Sequence, residues 1–171
     1  MMSKRKVEVL PYSSLWLSAF QEEAAILRGI FGSDVLEVHH IGSTAVVGLS
    51  AKPVIDLLLV VRSIACVDAH NDAMRGIGYE PKGENGIEGR RYFQKGGNER
   101  SHHVHVFEEG CAEITRHLLF RDFLRAHPAR AMEYGELKTQ LAEQYPDDIE
   151  KYIEGKSEVI RQIECDAAEW L

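Results

Sequence analysis

The sequence predicts an α/β (α+β) domain with an N-terminal helix, a mixed β-sheet of about four or five strands and a helical C-terminal part. Three observations carry this prediction. Residues 15–31 repeat apolar side chains at helical spacing, residues 54–61 are almost unbroken β-branched residues and leucine, and residues 112–170 return to helical spacing nearly throughout.

Residues 7–10 form a short β-like run ended by Pro11, and Ser13 or Ser14 is placed to cap the helix that follows. In that helix Leu15, Ala19, Phe20, Ala24, Ile26, Leu27 and Ile30 recur with the right period until Gly32 stops it. Residues 35–41 alternate, with Val35, Glu37 and His39 opposed to Leu36, Val38 and His40, as a strand does when it delivers the chain to a turn at Gly42. Lys52 precedes Pro53 and is therefore biased towards extended backbone. Residues 54–61 then read as a central strand buried on both faces, with Asp56 its only charge. Helical spacing returns through Ile64, Val67 and Met74 and stops at Gly76. Tyr79 and Glu80 form a short extended piece, and the glycine-rich residues 82–89 a surface loop. Residues 90–94 and 102–107 read as two strands of a hairpin closed over Gly96-Gly97. Beyond Ala112, breaks at His127-Pro128 and Tyr145-Pro146 divide the helical pattern, and Asp147 or Asp148 starts the last helix.

A chain of 171 residues, 44% hydrophobic and 27% charged, supports a soluble globular protein with a real core. One domain over residues 1–171 is expected, with the sheet and its flanking helices in 1–110 and the helical part in 111–171. The formal charge of −7 argues against general nucleic-acid binding, which needs net neutralisation of phosphates, while leaving room for a local basic cleft. Cys66, Cys111 and Cys165 are too far apart in sequence for a disulfide framework or a zinc knuckle. Neither the charged N-terminus nor any later stretch has an apolar span of signal-peptide or bilayer length. The expectation is a cytoplasmic protein with free thiols and no membrane partner.

Three groups of residues suggest chemistry. Gly42, Ser43 and Thr44 form a turn whose backbone N–H groups and hydroxyls suit phosphate, next to Lys52 and to Asp56, a carboxylate costly to bury unless paired or metal-bound. His103 and His105 stand two apart on a strand and share a face, as metal ligands or phosphate donors would; an edge-strand surface pair has the same spacing. Arg121 and Arg125 share a helix face at i, i+4, with Arg90-Arg91 and Lys138 elsewhere in the chain, and together could receive an anionic substrate such as a nucleotide. Ordinary turn chemistry and solvated helix faces are the plain alternatives, and for Arg90 and Lys138 the solvated face is the preferred reading.

The runs HIGSTAVVGLSAKPVIDLLLVV, HHVHVF, HLLFRDFLRAHP and YGELKTQLAEQYPDDIEKYIEGKSEVI together resemble the GrpB-like family, bacterial proteins related to the nucleotidyltransferase superfamily of DNA polymerase beta type. The resemblance implies a nucleotidyltransferase-like mixed sheet in which Gly42 and Ser43 match the phosphate-binding turn and Asp56 the first catalytic carboxylate. In that superfamily a second acid follows two positions later, and divalent ions bind the triphosphate and activate an acceptor hydroxyl. Here Leu58 stands at that position, and the later strand offers His103 and His105. A divalent metal (Mg, Mn or Zn) on Asp56, His103 and His105 is the implied cofactor, the imidazoles favouring the transition metals over magnesium.

Three functions follow. The protein binds a nucleotide or similar phosphorylated small molecule at Gly42, Ser43, Thr44, Lys52, Arg91, Arg121 and Arg125, with metal-dependent nucleotidyl transfer to a small acceptor as its catalytic form. Alternatively it is a non-catalytic ligand-binding or regulatory domain with a degenerate site, or a metal-dependent hydrolase built on Asp56, His103 and His105.

Overall fold

The amphipathic N-terminal run forms α1 (Leu15–Phe31), which buries Trp16, Ala24, Leu27 and Phe31. The computed structural model describes residues 5–170. After α1 the chain continues through β1 (Val35–Ile41), β2 (Ile55–Val61), a 3-10 segment (Ile64–His70), α2 (Asn71–Gly76), β3 (Tyr79–Pro81), β4 (Arg91–Lys95) and β5 (His102–Glu108). Three helices follow: α3 (Ala112–Ala126), α4 (Pro128–Gln144) and α5 (Ile149–Trp170).

The strands form one mixed sheet in the order β1-β2-β5-β4-β3. The run of residues 54–61 becomes the buried strand β2, antiparallel to β1 and parallel to β5. Its odd-numbered side chains Ile55, Leu57, Leu59 and Val61 join Val104 and Val106 of β5 in a core closed by α1. Its even-numbered side chains point the other way, as the two-residue period requires. There Leu58 packs with Ile41 and Phe107, while α3, α4 and α5 build a further core from Phe123, Leu124, Tyr134 and Ile163. Asp56, His103 and His105 belong to this second face, the one turned towards the C-terminal helices.

Two local expectations change. Residues 7–10 do not become a strand; Leu10 makes a single antiparallel bridge with Ala51, and the Val7 amide donates to the Pro146 carbonyl at 2.9 Å. Pro11 has no N–H with which to extend a ladder, so the segment serves as a tether to the C-terminal part, with Val7 buried beside Leu141 and Tyr152. The helix expected through Ile64, Val67 and Met74 is instead a 3-10 segment followed by the six residues of α2. Ile64 and Val67 are three apart, which suits the tighter period, and the segment is tied down by Asp68 to Arg91 (2.9 Å) and His70 to Asp34 (2.8 Å). The reading of the N-terminus as no signal peptide falls partly on residues 1–4, outside the described residues. Among the described residues no helix is long and apolar enough to cross a membrane. The three cysteines are free thiols, Cys66 and Cys165 exposed.

Candidate functional site

The register of the two parallel strands assembles the centre. Asp56 of β2 lies opposite His103 of β5, and Leu58 opposite His105. Both imidazoles turn to the same carboxylate oxygen: His105 Nε2 is 3.2 Å and His103 Nδ1 3.4 Å from Asp56 Oδ1. Behind each ring stands a guanidinium. Arg100 Nη1 is 3.2 Å from His103 Nε2, and Arg90 Nη1 is 3.3 Å from His105 Nδ1. Guanidinium can only donate, so these rear nitrogens accept and the ring protons sit on the nitrogens facing Asp56. Burial works against the Asp56 charge, but the hydrogen bonds from His103 and His105 outweigh it and hold the carboxyl well below the usual carboxylate range.

This arrangement decides how the three residues fit a metal. A metal-bound imidazole presents a lone pair, whereas here two N–H groups meet one oxygen. Among the described residues no group of three or more His, Cys, Asp and Glu side chains is disposed to hold a metal ion. Asp56, His103 and His105 come together, then, as a carboxylate with two donors, and as they stand they do not fit a metal cage.

The turn after β1 supplies the next wall. Gly42 has φ +74°, and a Cβ there would lie 2.7 Å from Asp56 Oδ2, so both backbone and space require glycine. Ser43–Ala45 forms a single 3-10 turn. It is held by His40, whose Nε2 lies 2.9 Å from Thr44 Oγ1 and whose ring stacks on Phe20 at 4.7 Å. Burial pushes the His40 pKa down to about 4. Arg121 donates to the His40 carbonyl at 3.2 Å and Arg125 to the Ala45 carbonyl at 2.9 Å. These two arginines thus brace the turn's backbone. Arg91 pairs with Asp68, away from the turn.

A cavity of about 580 Å³ opens beside Asp56, Ser43 and Thr44. Its charged lining is Arg5, Lys52, Arg100, Lys138 and Lys156 against the single carboxylate Asp56. Lys138 is only 2% exposed, and among the described residues neither its Nζ nor the Tyr152 hydroxyl has a hydrogen-bond partner. Tyrosine rings hold the ammonium groups: Lys138 lies 4.5 Å from the Tyr134 centroid, Lys156 4.8 Å and Lys52 5.3 Å from that of Tyr152. Burial, aided by the charges of Lys156 and Arg5, brings the Lys52 pKa down to about 7, and burial also lowers Lys138 and Lys156.

Of the predicted site residues, the structure gathers Gly42, Ser43, Thr44, Lys52, Asp56, His103 and His105, and sets Arg91, Arg121 and Arg125 outside the cavity lining. Sequence reasoning missed Arg5, Arg100, Lys156 and Tyr152, and preferred a solvated face for Lys138. A signal for the helical lysines exists. Tyr134 and Lys138 in YGELK, and Tyr152 and Lys156 in YIEGK, repeat a tyrosine–lysine pair at i, i+4, which places ring and ammonium on one helix face.

The mixed sheet with one N-terminal helix and three C-terminal helices defines the class of protein, and the GrpB protein family model matches residues 6–166. The chain belongs to the GrpB family. It is 54% identical over 167 residues to the UPF0157 protein YqkA of Bacillus subtilis, covering 98% of this chain and 49% of that protein. It therefore spans about half the length of that relative. It is 33% identical over 167 residues to the glutamate-rich protein GrpB of Alkalihalophilus pseudofirmus, covering 95% of this chain and 96% of that one. The crystal structure of the conserved protein GrpB from Enterococcus faecalis superposes with a TM-score of 0.92 at 46% identity, over 96% of this chain and 100% of that chain.

Proposed function

We propose that the protein binds a nucleotide or similar phosphorylated small molecule in the cavity between the Gly42 turn and helices α4 and α5. One observation carries the reading: a fully buried lysine, Lys138, with no hydrogen-bond acceptor among the described residues, in a cavity they line with five basic side chains and one acid. An ammonium group is expensive to bury without a partner, so such a group is retained where a ligand supplies one. A phosphate chain would accept from Lys138, Lys156 and Lys52 and from the hydroxyls of Ser43, Thr44 and Tyr152. Asp56, kept ionised by two imidazole donors, repels phosphate oxygens on one side and so sets where the chain ends.

Binding without transfer is the form these residues favour. Leu58, at the place of a second carboxylate, is completely buried in the cluster with Ile41 and Phe107. The imidazole N–H groups facing Asp56 likewise argue against the Asp56, His103 and His105 hydrolase reading. Calorimetric titration with AMP, ADP, ATP and inorganic tripolyphosphate tests the proposal. Affinity should rise by about tenfold for each added phosphate, roughly 1.4 kcal/mol each. Equal affinity for AMP and ATP, or no binding of any phosphate, would overturn it. Release of pyrophosphate from labelled ATP in the presence of divalent metals would overturn the non-catalytic form alone.

A further inference from the structure

A second cavity, of about 370 Å³, adjoins the first and is walled by β5, α3, α4 and α5. Ser43, Asp56, Lys156 and Ile160 line both, so they stand between the two spaces; His103 lines the larger and His105 the smaller. The charges differ sharply. The larger cavity has five basic groups to one acid, whereas the smaller has Arg116 and Lys156 against Asp56 and Glu164. Arg116 is moreover occupied, donating to Glu164 at 3.0 Å and to Glu113 at 2.9 Å. A polyanion gains little in so balanced a field, and an ammonium ion would meet Lys156 and Arg116.

What the smaller cavity offers is a mixture of flat apolar walls and both kinds of hydrogen-bonding group. Phe120 and Tyr134 meet edge to face at 90°, with centroids 6.2 Å apart, and form an aromatic corner. Arg116 Nη2 is 3.3 Å from His117 Nε2, so that nitrogen accepts and the ring proton sits on Nδ1. Carboxylate acceptors and hydroxyl donors complete the lining. The volume is near the lower end of small-molecule sites, about 300–1,000 Å³.

We propose that this second cavity is a binding site for a neutral, hydroxyl-rich molecule of monosaccharide size, seated on Phe120 and hydrogen-bonded by Glu164 and His117. Occupied together with the first cavity, it brings one hydroxyl of that molecule to Asp56, opposite the end of a phosphate chain. Only this last juxtaposition rests on the phosphate reading.

Saturation-transfer NMR with D-ribose, D-glucose and myo-inositol tests the site on the whole chain, alongside calorimetry with inorganic tripolyphosphate. At least one of the three polyols should bind the native protein. Glu164→Gln and Phe120→Ala should each weaken that binding by about fivefold or more, the loss of roughly one hydrogen bond or one ring contact. Neither substitution should move tripolyphosphate affinity by more than about twofold, which also shows that the variants are folded. No binding of any of the three polyols, or binding indifferent to both substitutions, would overturn the inference, as would choline displacing the bound polyol. If polyols bind as expected and tripolyphosphate does not, the phosphate reading fails and the polyol site stands.

Discussion

The two faces of the sheet treat buried charge in opposite ways. On the α1 face, Glu23 is 6% exposed and fully answered: Tyr79 donates to it at 2.9 Å, Lys95 at 2.9 Å, and His102 lies 3.6 Å away. On the other face, Lys138 is more deeply buried and has no acceptor among the described residues. The helices packed on the two faces, α1 and α4, therefore carry one charge that the described chain neutralises and one that it leaves open. A satisfied cluster locks α1 to β3, β4 and β5. An unsatisfied one lowers the stability of the protein, and the proposed phosphate ligand would supply its missing acceptor.

Substitutions can break this contrast, and the largest effect should come from Leu58→Asp. An acid at position 58 would stand in the closed part of the cavity face, where Leu58 is wholly buried. Denaturant unfolding should show a loss of about 4 kcal/mol or more, from lost packing plus an unpaired buried carboxylate. A loss below about 1 kcal/mol would mean that this position opens on the cavity after all. Next comes Lys95→Met, which leaves Glu23 without its cation. It should cost about 2 kcal/mol, less than a fully buried pair because Lys95 is 24% exposed, with phosphate binding intact. Gly42→Ala should cost about 1–2 kcal/mol for a non-glycine residue at φ +74° and should also weaken phosphate binding, since the new methyl displaces Asp56. Normal binding in that variant would detach the turn from the site.

The smallest effect is one of pH. Lys52 has a pKa of about 7 in the folded protein, below its ordinary value of 10.5, so the unfolded chain binds more protons between those values. Stability of the empty protein should therefore rise as pH increases from 7 towards 10.5, the burial penalty being fully present below pH 7. A bound phosphate favours the protonated lysine, so affinity should be greatest below pH 7 and fall as pH rises through it. Lys52→Met should remove this part of both profiles.

Much of this contrast could be read in the chain. The strand with Asp56, the paired histidines on one strand face and the glycine turn all follow from periods of two and from backbone freedom, which are local properties. Adjacency of Asp56 to His103 depends on the parallel pairing of β2 with β5, strands separated by α2, β3 and β4, and no local signal specifies that. Arg121 and Arg125 share a helix face as their spacing requires, yet that face meets the carbonyls of the turn and not the cavity. The opposite happened with Lys138. A lysine in a helical pattern ordinarily points to solvent, and only tertiary packing around α4 buries this one. Tyrosine four residues before each of Lys138 and Lys156 was the visible trace, because a ring one turn away is what makes a buried ammonium tolerable.

Lys138→Met tests the central claim most directly, by calorimetric tripolyphosphate titration and thermal unfolding of the same sample. Methionine keeps the volume and removes the unanswered charge. The empty variant should melt higher than the native protein, by a few degrees for each kcal/mol of desolvation relieved, and tripolyphosphate affinity should fall by about 100-fold. A variant that melts lower, and binds tripolyphosphate as tightly as the native protein, would contradict the account.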